Sequence, residues 1–217
     1  MDILVLQEKK KIKTGEKYPV PEGLRHFIAE FGWIATGDVD VDASLLVYNG
    51  TGKLLETISF THPLSEDGSI NHHGDMSSRL KDEESRREFE RIEIRLDEMN
   101  ENLHSVLFVA SCHKGSFGKV SLLELKIIQV EKQRVDTKER TFLVGRVDKS
   151  FVGEGSKWTS TVFGDLTKVA APNTGLEDKG EGGNDQERSK WELTLGLPVK
   201  GGKNEEEGDD CSESVSA

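Results

Sequence analysis

Between Gly37 and Ser44 the chain reads GDVDVDAS, and this short stretch restricts the fold more than any other. Asp38, Asp40 and Asp42 alternate with Val39 and Val41, and the segment runs on through Ala43 and Ser44 into Leu45, Leu46 and Val47. A period of two is that of a β-strand, so the three carboxylates share one face and the two valines the other. Aspartate is a poor strand former, and like charges on one face repel. Two readings follow. A hard cation such as calcium, which takes about six to eight oxygen ligands, would neutralise the row. Alternatively, the row is the solvated side of an edge strand, where charge discourages pairing with other chains. An EF-hand loop is excluded: its sixth and twelfth positions need Gly and Glu, and here they are Ala43 and Asn49.

Strand-like segments recur about every ten residues. Ile3 to Leu6 is the first, followed by Lys9, Lys10, Lys11 and Lys13, a basic run that reads as a solvated turn. Leu24 to Trp33 is the next, and Leu54 to Phe60 returns from a hairpin turn at Asn49-Gly50-Thr51-Gly52. His62 to Ser78 reads as a polar loop, and Arg79 to Glu88 is so charged that it belongs on the surface. Ile92, Ile94 and Leu96 alternate with Glu93 and Arg95 as in a half-buried strand. Leu103–Ser111, Phe117–Val130, Thr141–Val147, Lys157–Leu166 and Lys190–Val199 complete the series. With no long amphipathic helix between them, these segments predict an all-β chain. The expected form is a β-sandwich of two packed, mainly antiparallel sheets with short helical or loop insertions. Trp33, Phe60, Phe108, Phe117, Phe163 and Trp191 are expected in its core.

Charge narrows the function. The 217 residues carry 40 acids against 29 lysines and arginines, a net charge of −11, with no basic stripe. Nucleic acid is therefore not an expected partner. Cys112 and Cys211 cannot make a disulfide framework, which fits a reducing, cytoplasmic setting. Ile3 to Leu6 is too short for a signal-peptide core, and no transmembrane segment is expected. Residues 171–189 are rich in glycine and acids, so they read as a flexible loop inserted before the last strand; residues 200–217 read as a disordered acidic tail. The domain is thus expected over residues 1–199.

Five short motifs, taken in order, resemble the TerD-type stress-response domain associated with tellurium resistance. They are Gly32-Trp33, Asp38 to Ser44, Ser65-Glu66-Asp67-Gly68-Ser69-Ile70 with His73-Gly74-Asp75, Ser116-Phe117-Gly118-Lys119-Val120, and Val162-Phe163-Gly164-Asp165. Trp191 to Leu195 looks like the family's final strand, displaced by the insertion. The resemblance implies a β-sandwich and calcium binding, with Asp38, Asp40, Asp42, Ser44 and Asp75 as the matching ligand positions. Strand residues two apart are separated by about 6.6 Å, so a calcium shell needs a second segment, which Asp75 would supply. Three departures weaken the match. Met76 replaces the usual Asn, Arg79 to Glu88 replaces a Gly- and Asp-rich stretch, and Cys112-His113-Lys114-Gly115 brings a lysine where the family has an acid. At most one calcium site is expected.

His72, His73, Cys112 and His113 are all zinc-competent, but their spacing fits no zinc motif, and neighbours on a strand face apart. The histidines are expected to be surface or loop residues. No nucleophile elbow surrounds Ser111 or Cys112, so no enzyme is expected. The sequence thus leads to a non-enzymatic calcium-binding module of stress response and tellurium or metal resistance. The alternative is a metal-independent scaffold for protein partners. Limited proteolysis should cut first within residues 171–189 and 200–217; early cleavage inside 39–60 or 104–129 would contradict this domain map.

Overall fold

The computed structural model describes residues 10–11, 15–21, 23–78, 87–132, 137–146, 157–169, 190–195 and 200–203. They form thirteen strands: β1 (Lys10–Lys11), β2 (Lys17–Pro19), β3 (His26–Ala35), β4 (Asp40–Asn49), β5 (Leu54–Ile58), β6 (Ile70–Ser78), β7 (Arg87–Arg95), β8 (Leu103–Lys114), β9 (Val120–Lys132), β10 (Thr137–Arg146), β11 (Trp158–Val169), β12 (Lys190–Leu195) and β13 (Lys200–Lys203). The first sheet has the order β1-β10-β9-β3-β7-β6, and the second β2-β12-β11-β8-β4-β5, with β13 beside the start of β11. All pairings among them are antiparallel except that of β1 with β10. The expected sandwich is what forms. Among the described residues the only helical element is a single 3-10 turn, Phe117–Lys119, and no helix is long and apolar enough to cross a membrane.

Alternation explains which side of each strand is buried. In β4, Val41, Ala43, Leu45 and Val47 are buried while the residues between them face outward; in β7, Ile92 and Ile94 are likewise buried. The inward faces meet through Phe31 of β3. Its ring centroid lies 6.3 Å from Phe108 of β8 and 5.5 Å from Phe163 of β11, the latter edge-on at 81°. Trp33, Phe117 and Trp191 join this core as expected, but Phe60 does not: it is 56% exposed in the turn that follows β5.

Other expectations are corrected in the same way. Ile70–Ser78, read as loop, is a strand at the edge of the first sheet, because β7 supplies the pairing its polar sequence could not announce. Lys10 and Lys11, read as a turn, pair with Leu143 and Val144. Lys200–Lys203, read as tail, pair with β11 between Trp158 and Thr161. Ile3–Leu6, the insertion at 171–189 and the remainder of the tail lie outside the described residues.

On the outward face of the first sheet the buried Glu30 is held by cations. Arg91 Nη2 lies 2.9 Å from one of its oxygens, and Lys126 Nζ lies 3.0 Å from the other. Arg87 spans from Glu30 to Glu124, 3.3 and 2.7 Å away. A Cβ at Gly32 would lie 2.7 Å from Arg87 Nη2, so the glycine of the Gly32-Trp33 motif leaves room for this bridge. Burial pushes the Glu30 carboxyl up, yet hydrogen bonds and charge from Lys126 and Arg91 outweigh it and hold its pKa below the ordinary 4.5. A carboxyl depressed on folding contributes stability above its ordinary pKa and loses it as pH falls through the folded value. Glu30→Gln should therefore be less stable than wild type at neutral pH by on the order of 2 kcal/mol. Urea midpoints taken down the pH scale should converge below 4.5 as Glu30 protonates.

Candidate functional site

β4 lies between β8 and β5, but β5 reaches only from Leu45 to Tyr48. Asp40 to Ser44 therefore extend past the end of β5 with β8 as their one neighbouring strand among the described residues. The backbone of Ala43, beside Ala110 of β8, turns away from that strand and needs other partners. Two side chains from the opposite sheet provide them. The Ala43 N–H donates to Glu90 Oε2 at 2.6 Å, and the Ala43 carbonyl accepts from His72 Nε2 at 3.3 Å. His72 Nε2 is also 3.3 Å from Glu90 Oε2, and both side chains are fully buried. Gly74 N–H donates to His72 Nδ1 at 2.9 Å, so Nδ1 carries no proton and the ring is the neutral Nε2–H tautomer. The His72–Glu90 contact is thus a close approach of a neutral ring to a carboxylate rather than an ion pair.

This junction fixes the aspartate row. Asp40 is exposed, and Asp42 and Ser44 are half-buried on the outward face of β4, opposite Lys114, Ser111 and Val109 respectively. Asp38 lies before the strand, and its carboxylate is ion-paired with the Lys114 ammonium. That hydrogen bond is the main influence raising the Lys114 pKa. Asp75 stands in β6 opposite Glu90, just after a register shift between His72 and Asp75. Since His72 and Glu90 both grip Ala43, the strand that carries Asp75 is tied to the residue between Asp42 and Ser44. The Asp75 side chain lies outside the described residues. Among the described residues, no three His, Cys, Asp or Glu side chains converge closely enough to hold a metal.

The model of the TerD domain matches residues 9–143. The chain belongs to the TerD domain family. Two solved structures share its fold. One is a homologue of telluride resistance protein (TerD) from Streptomyces coelicolor A3(2), 15% identical with a TM-score of 0.50, covering 84% of this chain and 94% of its own. The other is a protein of unknown function, also 15% identical with a TM-score of 0.50, covering 82% of this chain and 90% of its own. A comparison with curated proteins found no match.

Most of the TerD motifs in this chain hold the sandwich together. Asp67 accepts hydrogen bonds from the Ser65 and Ser69 hydroxyls, the Ser69 N–H and the Asn100 N–H, tying the loop before β6 to the turn before β8. Burial pushes its carboxyl up, and these bonds, those from Ser69 first, bring it below its ordinary value. Phe117 is wholly buried behind its Ser116 cap. Gly164 sits where any Cβ would run into the Thr194 carbonyl of β12. Gly164, Phe117 and Asp67 are therefore structural positions, and the residues left for chemistry are the aspartate row and the corner that faces it.

The sequence reading missed Glu90 and placed His72 on the surface. The signal was present: Glu90 continues the inward series Ile94, Ile92 by one step, and His72 continues Ile70, so each falls on a core-facing position. His73, one residue on, is exposed as expected of a neighbour on the opposite face. The thiol of Cys112 is pushed up to about 12 by burial, then by the nearby Asp42 and Asp40 carboxylates. It stays protonated at neutral pH, the reverse of what a nucleophile or a zinc ligand requires. Glu90→Ala should remove the acceptor for Ala43 N–H and leave a void, costing about 3 kcal/mol or more. Glu90→Gln, which keeps an acceptor oxygen, should lose less. Hydrogen exchange at the Ala43 amide should quicken sharply in Glu90→Ala and far less in Glu90→Gln.

Proposed function

We propose that this TerD domain is a non-enzymatic calcium-binding module of the cytoplasm, acting in stress response and tellurium or metal resistance. The observation that supports it best is the corner at Ala43. Asp40, Asp42 and Ser44 project from one face of β4, and β6, which carries Asp75, is hydrogen-bonded through His72 to Ala43 between Asp42 and Ser44. A strand alone cannot surround calcium, since alternate residues are about 6.6 Å apart. Two backbones meeting at one corner can, with backbone carbonyls and water completing the shell. Calcium bound there would supply charge neutralisation, and would draw the Asp75 carboxylate toward the strand. Asp38 would join only by leaving Lys114, which is why one site is proposed and not two.

The Lys114–Asp38 pair also favours a second reading, in which the lysine replaces the metal and the domain is a metal-independent interaction scaffold. The two readings differ in what removing calcium does. With a calcium site, the domain stripped by chelator should be less stable at low ionic strength and partly rescued by salt, which screens exposed charge. Added calcium should raise the midpoint, as any ligand of the native state does. Asp42→Asn should bind calcium more weakly and yet be more stable than wild type in chelator, because one repelling carboxylate is gone. Thermal denaturation of both proteins, each with calcium and with chelator, tests this. Equal midpoints in all four conditions would retire calcium and leave the scaffold.

A further inference from the structure

β5 is the terminal strand of the second sheet, and no described strand pairs with its outer side. Among the described residues, every exposed large hydrophobic side chain falls between positions 54 and 64. They are Leu54 (45% exposed), Leu55 (45%), Phe60 (56%) and Leu64 (53%). This segment runs from the edge of the second sheet to the edge of the first, where Leu64 bridges to Asn71 of β6. Open sheet edges are usually blunted by lysine, proline or covering loops. β5 is short and bulged, and the chain after it turns back at Ser59 and His62, yet the strand itself carries no lysine or proline, and the register shift between Val47 and Tyr48 leaves Leu55 as an extra residue that faces solvent. Concentrated apolar exposure on an open edge marks an interaction surface.

Its charge selects the partner. Beside β5 is a cavity of about 240 Å³ whose lining includes Leu55, Glu56, Glu66, Asp67, Asn100 and Asn102. Glu56 is half-buried, and among the described residues no Lys or Arg reaches it; it accepts one hydrogen bond, from Glu66 N–H at 3.2 Å. Burial foremost, then the Asp67 and Glu66 charges, push its carboxyl up. Glu30, Glu93 and Glu192 are also set into the surface, but each has its own cation. A lysine or arginine entering the cavity would lay its aliphatic stem beside the exposed Leu55 and bring its charge to Glu56. A second copy of this chain fits poorly, since strand-to-strand pairing would oppose two Glu56 residues on protomers of net charge −11. The acidic tail, with Glu205, Glu206, Glu207, Asp209 and Asp210, has the same sign as the rim.

We infer that the β5 edge is a docking site for an extended segment of another protein in which apolar residues alternate with lysine or arginine. The segment adds a strand to β5 by main-chain hydrogen bonds, and one basic side chain enters the cavity at Glu56. The inference is independent of the calcium reading, so it is tested in chelator. The full-length protein is panned against a random dodecapeptide display library, and enriched peptides are measured against wild type, Leu55→Asp and Glu56→Lys. Both substitutions are at surface positions, and unchanged thermal midpoints check the fold. Enriched peptides should alternate apolar with basic residues, perturb the amides of Leu54–Ile58, and bind each variant at least tenfold more weakly. Enrichment of peptides lacking basic residues, binding unaffected by either variant, or no enrichment over an unrelated acidic protein would each overturn it. So would sedimentation as a dimer that Leu55→Asp dissociates, which would assign the edge to a second copy.

Discussion

The Ala43 backbone depends on two side chains from the opposite sheet, and much of this molecule's organisation follows from that dependence. β5 ends opposite Leu45, because after Ile58 the chain leaves the second sheet through the tight bridge of Ser59 with His62. Past that point a buried N–H and a buried carbonyl on β4 would face apolar surroundings, at about 1–3 kcal/mol for each group left unmet. No further strand covers them among the described residues. Instead the core stripe of the first sheet changes chemistry, from Ile94 and Ile92 to Glu90, and from Ile70 to His72. Polar groups in these positions join the two sheets by direct hydrogen bonds, where elsewhere Phe31, Phe108 and Phe163 join them by packing alone. Hydrogen bonds are directional and packing is not, so this corner also sets the register of one sheet against the other.

How much of this the sequence shows depends on whether a residue's surroundings are local. Alternation of apolar and polar residues placed β4, β7 and β8 well, since burial on one face is written into each strand by itself. It failed for β6, whose INHHGDMSS carries one aliphatic residue before Met76 and owes its extended form to pairing with β7. Lys10–Lys11 and Lys200–Lys203 are the same case: short, lysine-bearing segments made into strands by β10 and β11. Phe60 failed in the other direction. An aromatic at strand spacing is ordinarily buried, but here the strand stops two residues earlier and the ring projects from the turn. At the candidate site, the aspartate row was legible because it violates strand propensity. Glu90 and His72 carry only the alternation that continues Ile92 and Ile70, and their charge and polarity hide it until the partner across the sandwich is known.

The acid excess of this chain is unevenly compensated. On the outward face of the first sheet, Glu30 and Glu124 are enclosed by Arg87, Arg91 and Lys126, so the local charges nearly cancel. Along the β4–β5 side of the second sheet, Lys114 meets Asp38, while Asp40 and then Glu56, Glu66 and Asp67 follow with no arginine among them. Two acidic regions therefore lie along β4 and β5, one at the start of β4 and one beside β5. They differ in kind. Near Ala43, Asp40 and Asp42 share one face of a single strand, whereas near Glu56 the carboxylates lie with the exposed Leu55 beside a terminal strand.

Lys114 determines how the first of these regions behaves. Its ammonium neutralises Asp38 and leaves Asp40, Asp42 and Asp75 as the carboxylates that a divalent ion would share. Three carboxylates against a charge of two is still a favourable balance for calcium, so losing Asp38 to lysine need not abolish binding. In the proposed calcium reading it would limit binding to one ion and make it weaker, because ligand charge is a main determinant of calcium affinity. The exposed Lys114–Asp38 pair contributes little stability by itself. What it does is hold Asp38 away from the row, and so reduce the repulsion that calcium would otherwise relieve. On the proposed reading, the same lysine that would lower the affinity would also let the strand persist without the ion.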